Sequence, residues 1–171
     1  MSLFHKVKSV LGVGSNVTSH AEKIISAVGG FIGILLIMWV SYHYLGTQGA
    51  ALLVASMGAS AVLLFAVPHG ELSQPWSLMG GHAVSALIGV ACAQSIANLL
   101  IAAPLAVALA IAAMHYLRCI HPPGGATAIT AVVGGSEVHA LGYQFVLTPV
   151  LLNAVTLLFA AVAVNYLFTF S

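Results

Sequence analysis

Charged side chains are nearly absent from this chain of 171 residues. Lysine and arginine together number 4 and aspartate and glutamate number 3, so that charged residues make up 4% of the sequence. Hydrophobic residues make up 61%, and the mean hydropathy is +1.10. Soluble domains carry about 25% charged residues, so no soluble fold of this size could bury so much apolar surface. The composition therefore predicts an all-α integral membrane protein in contact with the lipid bilayer.

Residues that support covalent or acid–base chemistry are also scarce. The only carboxylates, Glu22, Glu71 and Glu137, fall at the ends of apolar runs or between them, and neither a Gly-x-Ser-x-Gly elbow nor a nucleotide-binding loop occurs. We therefore expect no enzymatic activity. The 8 histidines include no i, i+4 pair and the 2 cysteines lie in or beside apolar segments, so we expect no metal site and no cofactor. Without a basic patch, we expect no nucleic-acid partner.

Apolar runs divide the chain into six candidate membrane segments. Four are long, and two contain small or helix-breaking residues; in order they cover about residues 24–45, 50–67, 76–100, 102–117, 122–133 and 143–168. A helix over residues 122–133 is about 18 Å long, shorter than the hydrocarbon core. We predict about six transmembrane segments in two repeats of helix, broken helix, helix. The alternative has four spans plus two re-entrant segments.

Two stretches of the chain resemble each other and indicate an internal repeat, which is inverted if the chain has six spans and parallel if it has four. The alternative is chance similarity between stretches rich in small residues. Gly58-Ala59-Ser60-Ala61-Val62 aligns with Gly125-Ala126-Thr127-Ala128-Ile129 at an offset of 67 residues. The same offset places Trp76 on Tyr143, each at the start of a long span. We predict one transmembrane domain over residues 24–171, with repeats of about 24–100 and 102–168.

The N-terminal segment, residues 1–23, contains three of the four basic residues, Lys6, Lys8 and Lys23. We expect no signal peptide, because no small-residue cleavage site follows a short apolar core. Apolar residues at Phe4, Val7 and Leu11 favour an interfacial amphipathic helix, and a disordered tail is the alternative. The positive-inside rule places this segment in the cytoplasm, and we expect a bacterial inner (plasma) membrane.

A helix-breaking sequence lies between two apolar runs, His121-Pro122-Pro123-Gly124-Gly125-Ala126-Thr127-Ala128. No polar loop of useful length separates the runs, so the broken backbone lies at or near membrane depth, where only protein or a water-filled cavity can satisfy it. We predict that backbone N–H groups at this break, with the Thr127 hydroxyl, bind a small anion. The alternative is that the glycines only allow close helix packing, and that His121 only caps the preceding helix.

Further candidates come from the first repeat and from polar residues within the spans. Gly58 and Ser60 offer the same chemistry as Gly125 and Thr127, so the predicted substrate-binding set is His121, Pro122, Pro123, Gly124, Gly125, Thr127, Gly58 and Ser60. Polar residues in a membrane segment usually face the bundle interior, so we expect the pathway to be lined by Arg118, His82, His115 and Asn153. Each has a purely structural alternative: Arg118 as a topology determinant, the others as hydrogen-bonding partners of neighbouring helices.

The motif around His121, with glycine placement and hydropathy over residues 24–168, resembles the HPP family of integral membrane proteins, which is named for that tripeptide. Members in cyanobacteria and plastids are described as nitrite transporters. The resemblance implies membrane transport of a small inorganic anion such as nitrite, as a channel or a secondary carrier. The alternatives are a non-transporting membrane scaffold or accessory subunit, or transport of another small solute. Because so short a chain makes a thin bundle around a pore, we expect a homo-oligomer.

Overall fold

The computed structural model describes residues 18–168, and this part of the chain is entirely helical, with seven α-helices and no strand. The predicted interfacial helix and Lys6 and Lys8 lie outside the described residues. The helices are α1 (His20–Tyr44), α2 (Thr47–Ala66), α3 (Pro75–Ser95), α4 (Leu99–Tyr116), α5 (Pro123–Val133), α6 (Gly135–Leu141) and α7 (Leu152–Phe168). A 3₁₀ turn, Glu71–Ser73, precedes α3, and a π-helical turn, Val146–Leu151, leads into α7.

Local sequence sets several of the helix ends. Ser19 caps α1 through a capping box, in which its hydroxyl accepts from the Glu22 N–H while the Glu22 carboxylate accepts from the Ser19 N–H. The Asn98 side chain accepts from the Leu100 N–H at the start of α4. Pro75 occupies the first turn of α3, where its missing N–H costs nothing. These residues therefore determine where α1, α3 and α4 begin.

Within residues 18–168, five stretches are long and apolar enough to cross a bilayer, namely α1, α2, α3, α4 and the stretch Val146–Tyr166, which includes most of α7. The sixth apolar helix, α5, has only 11 residues. Large apolar side chains on α1 and α4 are exposed on the outside of the bundle; Phe31 is 70% and Leu100 is 86% exposed. In a membrane such faces contact lipid, so the chain is an integral membrane protein.

The structure corrects one prediction for the first repeat, because α2 is not broken. It runs without interruption from Thr47 to Ala66 and passes through Gly58 and Ser60. Glycine weakens a helix by only about 1 kcal/mol and no proline is present in this stretch, so surrounding packing keeps the helix intact. Gly58 and Ser60 are therefore mid-helix residues and cannot present a helix N-terminus to an anion.

The helices alternate in direction, so the bundle has two ends. At one, which we call the arginine end, Ser26 near the start of α1 donates to the Phe65 carbonyl near the end of α2, and Asn165 of α7 donates to the Leu64 carbonyl. The loop of residues 67–74 and Arg118 lie at this end as well. At the opposite end, Val138 of α6 packs near Gly49 at the start of α2.

Residues 117–133 run beside α3 along most of its length. The Trp76 indole N–H donates to the Leu117 carbonyl, 3.1 Å away, near the start of α3. Further along both stretches, the successive neighbours are Gly80 with Cys119, Gly81 with His121, Ser85 with Gly124, and Gly89 with Ala128. Non-helical residues therefore cover the arginine-end part of this path, and α5 covers the rest.

Candidate functional site

The break begins where α4 ends, in a Schellman arrangement at the arginine end. The Cys119 N–H donates to the Met114 carbonyl and the Arg118 N–H to the His115 carbonyl. Arg118 has a φ of 54°, the left-handed conformation that glycine adopts at most such positions. Backbone groups thus satisfy carbonyls at the end of α4, whereas both ring nitrogens of His121 contact other groups, Ser60 Oγ and the Leu72 carbonyl.

Two prolines prevent the helix from resuming before residue 123. Pro122 and Pro123 have no N–H, and the next two N–H groups are already used: Gly124 donates to the His121 carbonyl at 2.9 Å and Gly125 to the Pro122 carbonyl at 3.0 Å. This corrects the expectation that free backbone N–H groups at the break would hold an anion. Any donors for a ligand here must come from side chains.

Those side chains come together in a buried polar cluster, which we define as Ser56, Ser60, His82, His121 and Thr127. They come from α2, α3, the break and α5, and each is at most 1% exposed. The Ser60 hydroxyl lies 2.8 Å from His82 Nε2 and 2.8 Å from His121 Nε2, so one hydroxyl bridges two imidazoles. The two imidazole centroids are 4.9 Å apart. The cluster combines three of the predicted binding residues with one predicted pathway residue.

Both ends of this hydrogen-bonded chain reach backbone carbonyls. His121 Nδ1 donates to the Leu72 carbonyl in the 3₁₀ turn, at 2.8 Å. At the other end, His82 Nδ1 lies 2.8 Å from Thr127 Oγ1, which lies 2.8 Å from Ser56 Oγ. The Ser56 hydroxyl donates to the Pro123 carbonyl at the start of α5, at 2.8 Å.

Each of the two aligned stretches contributes one of the two hydroxyls that flank His82. Ser60 and Thr127 occupy equivalent positions in the two aligned stretches, and they contact opposite nitrogens of the same imidazole. Gly58 and Gly125, which are also equivalent, both face open space: no heavy atom comes within 4 Å of a Cβ at Gly58, and the nearest to one at Gly125 is a Val107 methyl at 3.9 Å. These glycines therefore point away from the cluster.

An open cleft of 260 Å³ lies at the arginine end and leads toward the cluster. Its walls include His115 and Arg118, both exposed, together with Glu71, Leu72, Ser77 and Ile120. The carbonyl of Leu72 is the group that accepts from His121 on the inner side. The 3₁₀ turn therefore separates the cleft from the cluster, and two predicted pathway residues lie in the cleft, outside the cluster.

Asn153, the remaining predicted pathway residue, lies away from the cluster. It is fully buried on α7, and its Nδ2 donates to the Ser41 hydroxyl of α1 at 2.8 Å. Sequence reasoning missed Ser56, the Leu72 carbonyl and Ser85. The Ser85 hydroxyl is buried, lies near Gly124 and has no hydrogen-bond partner among the described residues. Position 85 is one turn from His82 on the same helix face, which is the one signal that could have identified it.

Comparison with known proteins agrees with this architecture. The sequence model of a protein family described as HPP, transmembrane region, matches residues 15–170. Two relatives are described as transmembrane proteins of Dictyostelium discoideum. One, DDB_G0273707/DDB_G0273361, is 39% identical over 159 residues, which cover 90% of this chain and 51% of the relative. The other, DDB_G0269096, is 38% identical over 142 residues, covering 81% and 50% respectively.

The chain thus spans about half the length of these relatives. No solved structure matches it.

Proposed function

The chain belongs to the HPP transmembrane family, and we propose that it carries a small inorganic anion, nitrite, across the membrane. The family resemblance supplies the substrate, because members in cyanobacteria and plastids are described as nitrite transporters. We propose transport without enzymatic chemistry, because the polar cluster contains no carboxylate. The proposal includes both a channel and a secondary carrier as the transport mechanism.

The observation that carries the proposal is the polar cluster beside a broken backbone. Polar side chains are expensive inside a membrane and usually mark a pathway when they converge. Five of them converge here from four separate stretches of the chain, and all are buried. Irregular backbone at this depth is typical of transporter substrate sites, where it is shielded by protein.

A route follows from the position of the cleft. Arg118 and His115 lie in the cleft wall, so a monovalent anion would be attracted there by the guanidinium charge. The anion would pass the 3₁₀ turn when the hydrogen bond between His121 and the Leu72 carbonyl opens. It would then reach the buried Ser85 hydroxyl, which has no hydrogen-bond partner among the described residues.

We propose that the chain crosses the membrane six times as a three-plus-three inverted repeat. Residues 117–133 run beside α3 from the arginine end toward the opposite end, so they cross wherever α3 crosses. Lys23 and Arg118 both lie at the arginine end, and by the positive-inside rule this supports a cytoplasmic location for that end. The bacterial inner membrane remains a prediction. The homo-oligomer also remains a prediction, because lipid alone can cover the exposed apolar faces of α1 and α4.

Cysteine labelling tests this topology directly. Both native cysteines, Cys92 and Cys119, are buried, so single cysteines can be introduced at His69 in the 67–74 loop and at Ser136 in α6, which are both exposed. A membrane-impermeant thiol reagent should modify the two positions from opposite sides. Modification of both from the same side would exclude six crossings and favour the alternative with four spans and two re-entrant segments.

Nitrite uptake into proteoliposomes that contain only the purified protein tests the function. A matched pair of variants on α5 isolates the cluster: Thr127 contacts Ser56 and His82, whereas the Thr130 hydroxyl donates only to the Ala126 carbonyl of its own helix. We expect Thr127→Val to reduce uptake by about 5- to 150-fold, because the loss of one buried partner costs about 1–3 kcal/mol. Thr130→Val should retain most of the uptake.

Empty liposomes provide the necessary background, because nitrous acid crosses bilayers unaided. Uptake by the wild type no faster than this background would contradict nitrite transport and favour a non-transporting membrane scaffold or accessory subunit. Uptake that is abolished equally by Thr127→Val and Thr130→Val would show that the cluster has no special role.

A further inference from the structure

We propose that His82, Ser60 and His121 form a binding site for one proton, and that this proton accompanies the anion across the membrane. The second half of this statement rests on the proposed function, whereas the first half does not. The number of protons that the cluster needs follows from which group donates in each of its hydrogen bonds.

Two contacts of the chain have a fixed direction, because a backbone carbonyl can only accept. His121 Nδ1 must therefore carry a proton and donate it to the Leu72 carbonyl. The Ser56 hydroxyl must donate to the Pro123 carbonyl. In a neutral His121, Nε2 then carries only a lone pair and needs a proton from Ser60.

The remaining contacts follow in sequence. Since the Ser56 proton is committed, Thr127 must donate to Ser56 Oγ at 2.8 Å. The Thr127 proton is then committed as well, so His82 Nδ1 must donate to Thr127 Oγ1. A neutral His82 is left with a lone pair on Nε2, which also faces Ser60 at 2.8 Å. Ser60 has one proton, and two imidazole lone pairs require it.

The same shortage appears in any other assignment of the protons. The described cluster has six contacts at 2.8 Å. Three hydroxyls and two neutral imidazoles supply only five protons. One contact therefore lacks a donor, and buried polar groups without a partner are costly in an apolar interior. A sixth proton, taken from the aqueous phase, completes every contact at once.

The added proton can be shared between the two rings without any atom moving far. When it is bound to His121 Nε2, this nitrogen donates to Ser60 Oγ, and Ser60 donates to His82 Nε2. Transfer breaks the His121 Nε2–H bond and forms an O–H bond on Ser60, while the former Ser60 proton passes to His82 Nε2. The charge moves from one imidazole to the other, and Ser60 is unchanged.

No side chain in the cluster balances the resulting positive charge. The polar groups that the cluster's hydrogen bonds join are the hydroxyls of Ser56, Ser60 and Thr127, the two imidazoles, and the carbonyls of Leu72 and Pro123. The Cys119 thiol lies beside Gly80 of α3, and the charged or titratable side chains Glu71, His115 and Arg118 line the cleft on the other side of Leu72. A buried cation in a membrane is expensive, so a monovalent anion entering with the proton would offset its charge. This predicts a ratio of one proton per anion.

The proton site can be tested without any transport assay. In protein labelled with ¹⁵N-histidine and reconstituted in lipid, the His82 and His121 resonances should report a single protonation shared by both rings. His82→Gln should abolish this event at His121, because the glutamine amide donates to Ser60 and supplies the missing proton. His69→Gln, a change of an exposed loop histidine at the same end, should leave the event unchanged.

Two results would overturn the proton site. One is that both rings stay neutral at every pH at which the wild type remains folded. The other is that His82→Gln leaves protonation of His121 unchanged. Because a substitution at His82 could affect folding, His121→Gln provides a second variant, in which His82 should lose the event in the same way.

The coupling is tested in proteoliposomes that contain a pH-sensitive dye and a potassium gradient with valinomycin to set the membrane potential. We expect wild-type nitrite entry, above the empty-liposome background, to acidify the lumen by one proton per nitrite and to be insensitive to the potential. Nitrite flux that remains in His82→Gln should carry charge, respond to the potential and lose the protein-dependent acidification.

The outcomes separate the two proposals. Wild-type flux that follows the potential without proton entry overturns the coupling and leaves nitrite transport standing. Absence of protein-dependent nitrite flux overturns transport and coupling together, while the ¹⁵N titration still decides whether the proton site exists.

Discussion

The two aligned stretches of the chain have similar sequences but different backbones. Gly58-Ala59-Ser60-Ala61 lies inside the continuous helix α2, whereas Gly125-Ala126-Thr127-Ala128 lies in the first turns of α5, directly after the break. At the same offset, Ala55 and Ser56 correspond to Pro122 and Pro123. The first pair has two N–H groups and continues a helix, whereas the second has none and cannot.

This difference explains where the polar cluster forms. A non-helical residue advances about 3.3 Å, compared with 1.5 Å in a helix, so a few residues before Pro122 reach the middle of the bundle. They bring the His121 imidazole to Ser60, in the middle of α2. The first aligned stretch thus lies in a continuous helix, and the break before the second stretch places the His121 imidazole against that helix. The predictions below probe that asymmetry.

The largest effect should come from placing a proline in the intact half. Ala55 is exposed on α2 and equivalent to Pro122, so Ala55→Pro changes the backbone and little else. Removing an interior helix hydrogen bond and adding a ring clash should destabilise the protein by about 3 kcal/mol or more. Thermal unfolding in detergent measures this, and Ala55→Gly should cost about 1 kcal/mol. Tolerance of the proline would mean that α2 does not need to be continuous.

The next effect concerns the packing of the break against α3. A Cβ at Gly124 would lie 2.7 Å from Ser85 Oγ and 2.8 Å from the Gly81 carbonyl oxygen, and one of these is backbone. We expect Gly124→Ala to destabilise the protein by about 1–3 kcal/mol, as overpacking does elsewhere. Unfolding temperatures would show this. Unchanged stability would indicate that α3 and the break are not in close contact.

Neighbouring Gly125 and its counterpart Gly58 should behave in the opposite way. Both have open space where a Cβ would be added and both lie in helices, so alanine should stabilise each by about 0.5–1 kcal/mol. Equal gains from Gly58→Ala and Gly125→Ala in the same unfolding assay would support the equivalence of the two positions. A loss at either position would reveal a contact that the repeat does not predict.

A small effect on stability, together with an effect on transport, is expected at Arg118. Glycine accepts the left-handed conformation at no steric cost, so Arg118→Gly should stabilise the protein by about 1 kcal/mol. The same change removes the charge from the cleft, so initial nitrite uptake at low salt should fall by about 2- to 10-fold. This difference should shrink at high salt, where exposed charges are screened.

The matched control is Arg118→Lys, which keeps both the charge and the backbone strain and should therefore resemble the wild type in stability and uptake. If Arg118→Gly transports normally at low salt, then Arg118 acts only as a topology determinant.

The sequence could predict the features that are set by residues close together in the chain. The membrane class and the helix ranges follow from long apolar runs, and the predicted ranges agree with the observed helices to within a few residues at most ends. The break at Pro122 and Pro123 also follows from local chemistry. By contrast, the predicted break near Gly58 was wrong, because small residues weaken a helix without preventing it, and packing decides the outcome.

The interior faces of the helices could not be predicted for a related reason. A membrane helix is apolar on all sides, so no amphipathic pattern indicates which face points inward. Ser60, for example, looks like one of several serines in α2, and its contacts with His82 and His121 join residues 22 and 61 positions apart.

The sequence by itself determined that this chain lies in a membrane, that it contains two similar five-residue stretches, and that its backbone must break before Gly124, because hydropathy and proline chemistry act locally. Only the tertiary structure decided that the N–H groups at the break are already used and that one serine bridges two imidazoles. Those outcomes depend on how helices distant in sequence pack together, because packing alone determines which polar groups come within hydrogen-bonding distance.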